Sequence, residues 1–334
     1  MENIKKELGQ FYSKNKELVE VFLDEIEKDD IVIDPFAGEW DLLNLVKNEK
    51  IGLDIDPKNS NTIKNNSLIN VPSYKGKFIL TNPPYLSKNK TKEKSIFELY
   101  STDDLYKAFL ISLEKDAEKG IVILPATFWF NENSKEIRKR FLSKFKVKNV
   151  NIFNKQMFED TTYTVCSFYF KREQNNSQEI NFNFIGKNEG FKTLLYNKEN
   201  DYSIIKVIEN MLLKYPKKIK ITRYTNDTQV PTNMFLNCID NSKNIFAEFK
   251  EPYKGIKTDR AFLTFCIDGI TLSEEEEKKL IEEFNNTLNS LREQYMDSFL
   301  SNYRNGGRKR IGFNFSYKLL EHCLVKIHWW GEHY

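Results

Sequence analysis

Asn82, Pro83, Pro84 and Tyr85 bring together a side-chain amide, stiffly held peptide carbonyls and an aromatic face. They follow, after Thr81, the run Lys77-Phe78-Ile79-Leu80, which predicts a short buried strand. Neither proline can donate a ladder hydrogen bond and both fix φ, so the strand ends there and Asn82 and Tyr85 sit at its carboxyl end. Open α/β sheets bind their ligands at that end. Asn82 offers one carbonyl oxygen and the neighbouring peptide a second, which suits the two N–H bonds of a planar amine. Tyr85 offers a surface on which the amine's ring can stack. A Pro-Pro after a strand is otherwise an ordinary turn; what sets this one apart is the order of the parts around it.

Two further strand ends precede it. Ile31-Val32-Ile33 predicts a strand, Asp34-Pro35-Phe36-Ala37-Gly38 a turn, and Asp41 to Val46 the start of a helix. A strand, a small-residue turn and a helix N-terminus make a cradle for a polar cofactor tail. A second strand then ends at Asp54-Ile55, about 20 residues after the turn, where a carboxylate can accept both hydroxyls of a ribose. Asp56, before Pro57, reads as a turn residue. Asn65-Asn66-Ser67-Leu68 closes a third short strand and offers hydrogen bonds to the edge of a purine.

The elements that must position these groups alternate. Helices are predicted over 14–23, with Ser13 as N-cap, over 103–119 and over 134–145. Gly120 to Pro125 is a further buried strand; Val147 to Phe153 and Thr164 to Phe170 form an adjacent pair, with Phe158 in the loop between them. The pattern predicts a mostly parallel α/β sheet with one antiparallel hairpin at its edge. Near residue 173 the rhythm changes, which predicts domains at 1–174 and 175–334. In the second, Ser273 to Met296 reads as a helix, and Asn305-Gly306-Gly307-Arg308-Lys309-Arg310 as a flexible basic turn. Lys88, Lys90, Lys92 and Lys94 make a polar loop just after the central motif. Such runs are mostly solvated surface, yet both basic segments are candidates for phosphate contact.

Composition bounds the rest. The chain has 334 residues, 30% of them charged and 40% hydrophobic, with a net charge of +3, so nucleic-acid affinity must come from local clusters. The cysteines, Cys166, Cys238, Cys266 and Cys323, are far apart with no CxxC pair, which argues against zinc and against a disulfide framework. No apolar run approaches the roughly 20 residues that span a bilayer. The charged start Met1-Glu2-Asn3-Ile4-Lys5-Lys6 is unlike a signal peptide. A cytoplasmic protein without a membrane anchor is expected.

Taken together, Gln10-Phe11-Tyr12-Ser13, Asp34 to Gly38, Gly52-Leu53-Asp54-Ile55-Asp56-Pro57, Asn82-Pro83-Pro84-Tyr85 and Phe158 resemble the amino (gamma) class of DNA adenine-N6 methyltransferases of type II restriction–modification systems. The resemblance covers roughly residues 7–171 and implies a Rossmann-like methyltransferase sheet followed by a C-terminal target-recognition domain. It implies S-adenosylmethionine as cofactor: Asp34, Pro35, Phe36, Ala37 and Gly38 along its methionine part, Tyr12 and Ser13 near its carboxylate. Asp54 with Ile55 would lie at the ribose, and Asn66 with Ser67 at the adenine. It implies Asn82 and Pro83 as acceptors for the target amine, Pro84 as the stiffener, and Tyr85 and Phe158 as the aromatics stacking a flipped base. Implied partners are double-stranded DNA and a companion restriction endonuclease acting on the same site without direct contact, the enzyme itself being a monomer. Lys88, Lys90, Arg308, Lys309 and Arg310 are the candidates for touching DNA. Two departures stand out: Trp40 occupies a place where the family has a small residue, and Asn66 one where it has an acid.

Other chemistries stay open in different degrees. Cytosine-C5 methylation needs a thiol after a proline, and no Pro-Cys pair exists. Cytosine-N4 enzymes usually carry Ser in place of Asn82. Methyltransferases acting on RNA or on a protein glutamine also use Asn-Pro-Pro-Tyr; glutamine enzymes place a helical domain ahead of the cofactor turn, whereas here the long extension follows it. An inactive methyltransferase fold that binds nucleic acid is the non-enzymatic reading.

Overall fold

A computed structural model describes residues 15–330 except 160, 175 and 252–255. The chain divides into two units: one of residues 1–129, 133–202 and 304–307, the other of residues 130–132, 203–303 and 308–334.

The first unit is built on a ten-stranded sheet. Its strands are β1 (Ile31–Asp34), β2 (Lys50–Asp54), β3 (Ile63–Lys64), β4 (Lys77–Thr81), β5 (Lys119–Pro125), β6 (Phe145–Lys146), β7 (Asn149–Asn154), β8 (Val165–Arg172), β9 (Ser177–Gly186) and β10 (Gly190–Asn197). They lie in the order β10-β9-β7-β8-β5-β4-β1-β2-β3, with β6 pairing β8 outside this path. From β3 to β5 every pair is parallel. The apolar runs of β1, β4 and β5 are buried on both faces, as parallel strands require. The chain runs outward from β1 through β2 to β3 and returns on the other side of β1 as β4, so the carboxyl ends of β2, β1 and β4 stand side by side.

Several expectations are corrected here. The β7–β8 pair is antiparallel, but it is not the edge: β9 joins β7 in parallel and β10 pairs antiparallel with β9. The alternation Ile180-Asn181-Phe182-Asn183-Phe184 in β9 puts its apolar residues on one buried face. There Trp129 meets Phe182 and Tyr196 at ring-centroid distances of 5.4 and 5.7 Å. The first unit therefore continues to Tyr202 rather than ending near residue 174. The N-terminal helix is replaced by 3-10 segments at Lys16–Leu18 and Glu20–Glu25, the first capped by Asn15. Ser13, its expected cap, lies outside the described residues, as does Tyr12. After Gly38 only a 3-10 turn, Leu43–Leu45, forms in place of a helix. The helices beside the sheet include α1 (Ser95–Tyr100), α2 (Leu105–Ser112) and α3 (Lys135–Lys144).

The second unit has a four-stranded antiparallel sheet in the order β11 (Lys220–Arg223), β14 (Phe262–Asp268), β12 (Met234–Asn237), β13 (Phe246–Phe249). Its longest helix among the described residues, α5 (Glu274–Tyr295), follows α4 (Ile204–Met211). It starts at the expected place because Ser273 and Glu276 form a reciprocal capping box. Later come the hairpin strands β15 (Ser301–Arg304) and β16 (Arg308–Arg310) and helix α6 (Phe313–Val325). Of that hairpin, Arg304–Gly307 group with the first unit. Among the described residues no helix is long and apolar enough to cross a membrane.

Candidate active site

Asp34 closes β1. Its Oδ1 accepts from Thr81 Oγ1 at 2.6 Å and from the Phe36 amide at 2.9 Å, so one carboxyl ties the ends of β1 and β4 and starts the turn. Burial pushes Asp34 up to about 7, against the pull of those two hydrogen bonds. Asp54 closes β2 in the same manner: Oδ2 accepts from the Gly38 amide at 3.0 Å and Oδ1 from the Asp56 amide at 2.8 Å. Burial raises its pKa, and the two amides oppose the rise. Gly38 reaches Asp54 by taking φ of 49°, the left-handed conformation that glycine enters without a Cβ penalty.

Trp40, the odd residue of the turn, has φ of 69° and is buried. Its indole donates from Nε1 to Thr62 Oγ1 at 2.6 Å and lies over Gly52, where a Cβ would come within 2.6 Å of that nitrogen. The bulk is accommodated by the absence of a side chain at Gly52. Trp40 does not line the cavity in front of the turn.

That cavity brings together Asp34, Phe36, Ala37 and Gly38 of the turn, Asp54 and Ile55 of β2, Asn66 and Ser67 after β3, and Asn82 and Pro84 after β4. Of the expected residues, Pro35, Pro83, Tyr85 and Phe158 are not on its wall. Asn66 Oδ1 accepts from the Leu68 amide at 3.2 Å, which leaves its second lone pair for a ligand. Sequence reasoning missed a whole side. Thr91, Glu93, Ile96 and Phe97, at the end of the lysine-rich loop and in α1, also line the cavity, as do Asp41, Leu86 and Leu105. Tyr100, at the end of α1, donates to the Leu68 carbonyl at 2.8 Å and ties this wall to the segment after β3. Nothing local in the lysine-rich sequence signals that role; it follows from where the loop returns. The wall carries the carboxyl groups of Asp34, Asp41, Asp54 and Glu93, which suits a ligand bearing amine, hydroxyl or cationic groups.

Behind Asn82 the aromatic arrangement differs from expectation. The Tyr85 hydroxyl contacts Asn82 Oδ1 and lies 3.0 Å from the Ile123 carbonyl. Its ring is 3% exposed, so no open stacking face is present. Tyr106 and Tyr163 stand edge-on to it at 6.3 and 6.0 Å. Phe158 is buried, and Tyr163 of the same loop stands against Tyr85. Asp104, just before α2, has an Oδ1 sealed from solvent with no hydrogen-bond partner among the described residues. Burial lifts it to about 7, although Lys107 opposes.

The expected basic contacts separate. Lys88 and Lys90 form a short turn and have no ion pair among the described residues. Arg308 is exposed. Lys309 is a correction: it is 2% exposed, and its ammonium lies 2.9 Å from Asp297 Oδ2, so it is withdrawn from any phosphate. Arg310 is half-buried, with its guanidinium 5.0 Å from the Phe313 ring centroid.

Residues 5–158, somewhat under half of the chain, match the family model described as Eco57I restriction-modification methylase. No curated protein matches the sequence. Among solved structures, the type I restriction–modification methyltransferase subunit from Streptococcus thermophilus is 17% identical, with a TM-score of 0.42 over 54% of this chain and 50% of that one. A modification subunit assigned to a type I restriction enzyme of Vibrio vulnificus is 18% identical, with a TM-score of 0.42 over 61% and 52%. A protein of Listeria monocytogenes assigned as a class I S-adenosylmethionine-dependent methyltransferase is 9% identical, with a TM-score of 0.40 over 51% and 61%. The chain thus spans between half and two thirds of the length of these solved chains.

Proposed function

From a chain whose residues 5–158 match a restriction-modification methylase, we propose a DNA methyltransferase that moves a methyl group from S-adenosylmethionine to the N6 amine of adenine. One observation carries this reading: Asn82 and Pro84 share a cavity wall with Asp34, Gly38 and Asp54. The group that would hold an amine and the groups that would hold the cofactor thus open onto the same space. The residues present fit that cofactor. Asp54 and Asn66 offer acceptors for hydroxyl and amine hydrogens, and the turn through Gly38 lets the backbone approach closely. When bound, S-adenosylmethionine supplies an electrophilic methyl group on a sulfonium centre.

The chain's own part is positioning. Adenine's exocyclic amine is a poor nucleophile because its lone pair is spread into the ring. Acceptance of its two N–H bonds by Asn82 Oδ1 and the Pro83 carbonyl draws the nitrogen toward tetrahedral geometry and localises that pair. Fixed geometry of this kind contributes on the order of 7–11 kcal/mol at best, without a strong base. Tyr85 sets the state of Asn82. A hydroxyl has one proton to donate, so when it goes to the Ile123 carbonyl the Asn82 oxygen is released for the amine. The target base must leave the duplex, which costs a few kcal/mol.

The finer assignments belong to the same proposal. The substrate is double-stranded DNA read by the second unit, and the protein works as a cytoplasmic monomer. A companion endonuclease cuts the same site when it is unmethylated. The test is transfer of labelled methyl groups from S-adenosylmethionine to DNA, RNA and protein in parallel, with nuclease digestion of the product. N6-methyladenine in DNA is the expected outcome; label confined to RNA or to protein glutamine would replace the substrate, and no transfer at all would leave only a binding fold.

A further inference from the structure

The expected basic turn supplies a cation to the catalytic unit, but from a residue that sequence reasoning passed over. Arg304 lies at the hairpin tip Arg304–Gly307, which groups with the first unit. The tip is bound to the loop after β7 by its backbone. Arg304 makes an antiparallel bridge with Tyr163, the Asn305 amide donates to the Thr162 carbonyl at 2.6 Å, and the Gly307 amide donates to Thr164 Oγ1 at 2.9 Å. Gly307 permits the approach: its φ is 95°, and a Cβ there would come within 3.0 Å of the Asn154 side chain. The Arg304 guanidinium then lies 4.2 Å from the centroid of the Tyr163 ring. Lys90 reaches the same ring from the loop after β4, its ammonium 6.0 Å from the centroid. That ring stands edge-on to Tyr85, whose hydroxyl contacts Asn82.

Two like charges therefore converge on one half-buried tyrosine beside the amine-binding residues, and neither has a carboxylate partner among the described residues. Stacking on a tyrosine offsets part of that repulsion, but it neutralises no charge. An anion would, and a guanidinium on a ring still presents donors suited to a phosphate. We propose that Arg304 and Lys90, converging on Tyr163, form a phosphodiester-binding pair that grips the DNA strand next to the target base. The proposal rests on the reading of Asn82 as the amine-binding residue, since that places the strand here.

The test uses the whole chain and a short duplex carrying an adenine that the wild-type protein methylates, found by mapping methylation on a plasmid. Arg304→Ala should weaken binding of that duplex about tenfold near 0.1 M salt and flatten the salt slope by about one unit. Affinity for S-adenosylmethionine should stay within twofold. Arg304→Lys keeps the charge and should keep the slope. For the wild-type protein, a neutral methylphosphonate at one linkage beside the target adenine should cost a similar factor, and the same linkage should cost Arg304→Ala little more. Unchanged duplex affinity in Arg304→Ala would overturn the proposal while leaving the proposed function standing. So would a loss of melting temperature and cofactor affinity that Arg304→Lys shares, which marks a purely structural stack. A wild-type protein that methylates no DNA overturns both, because the pair then has no strand to hold.

Discussion

Asp34, buried, and Asp104, half-buried with one sealed oxygen, in the first unit have surroundings opposite to those of buried Asp297 in the second. Neither Asp34 nor Asp104 has a cation within ion-pair distance among the described residues, and burial lifts both to about 7. Asp297 sits between Arg292, 2.6 Å away, and Lys309, 2.9 Å away. Burial pushes its carboxyl up, but those two cations outweigh burial and hold it below the ordinary range. The second unit has closed its buried charge into a lock for its own fold. The first leaves its raised acids without an ion-pair partner among the described residues: Asp34 on the cavity wall, where a cationic ligand can meet it, and Asp104 close to Tyr85 and Tyr163, with Lys107 opposing from beyond ion-pair distance. Perturbed acids of the first kind mark sites, and paired ones of the second kind mark architecture.

The largest effect should come from breaking the lock. Asp297→Ala leaves Lys309 without its anion and Arg292 with Asp240 alone, and should cost about 3–5 kcal/mol of stability in urea unfolding at neutral pH. Because Asp297 is held below its ordinary value, its contribution is present above that value and fades as pH falls through the depressed one. The gap between variant and wild type should therefore close in acid. An unchanged unfolding midpoint at pH 7 would mean that the cluster contributes nothing.

Next in size, and confined to chemistry, is Asn82→Ala. Single-turnover methyl transfer should fall at least a hundredfold, about 2.7 kcal/mol, while cofactor affinity stays within a few-fold. Near-normal turnover would remove Asn82 from the site. Asp104→Asn tests the opposite sign. A carboxyl raised from 3.8 to about 7 gives stability that is full below the lower value and is lost as pH rises to the upper one. The amide should match wild type near pH 4 and exceed it at pH 8, read as melting temperature across that window. A gain that is equal at both pH values would mean that the acid is not the cause. The smallest effect concerns packing alone. Gly52→Ala should cost about 1–2 kcal/mol by pressing on Trp40, and Trp40→Val in the same chain should recover part of it. Strict additivity in the double-mutant cycle would deny the contact.

The lining of the candidate cavity was legible in the sequence where its parts are strand ends. Asp34, Gly38, Asp54 and Asn82 each close or follow a strand whose apolar run is plain, and parallel strands necessarily bring their carboxyl ends together. The edge of the sheet was less legible. Ile180, Phe182 and Phe184 alternate with polar residues, which is a strand signal, but a polar linker-like stretch just before them suggested a boundary. The aromatic beside Tyr85 was not legible. Phe158 and Tyr163 lie in one loop, and only the path of that loop sets Tyr163 edge-on to Tyr85.

By itself the sequence determined the doubly wound core, the turn through Gly38, the capping box at Ser273 and the chemistry open to Asn82. These depend on neighbours a few residues apart, whose dihedral preferences and hydrogen bonds act without the rest of the chain. Tertiary structure alone decided that Gly52 makes room for Trp40, that Lys309 is spent on Asp297, and that Arg304 faces Tyr163 from more than a hundred residues away. The reason is physical: a charge or a ring has no direction until packing gives it one, and the contacts that fix these three join segments that local preference cannot bring together.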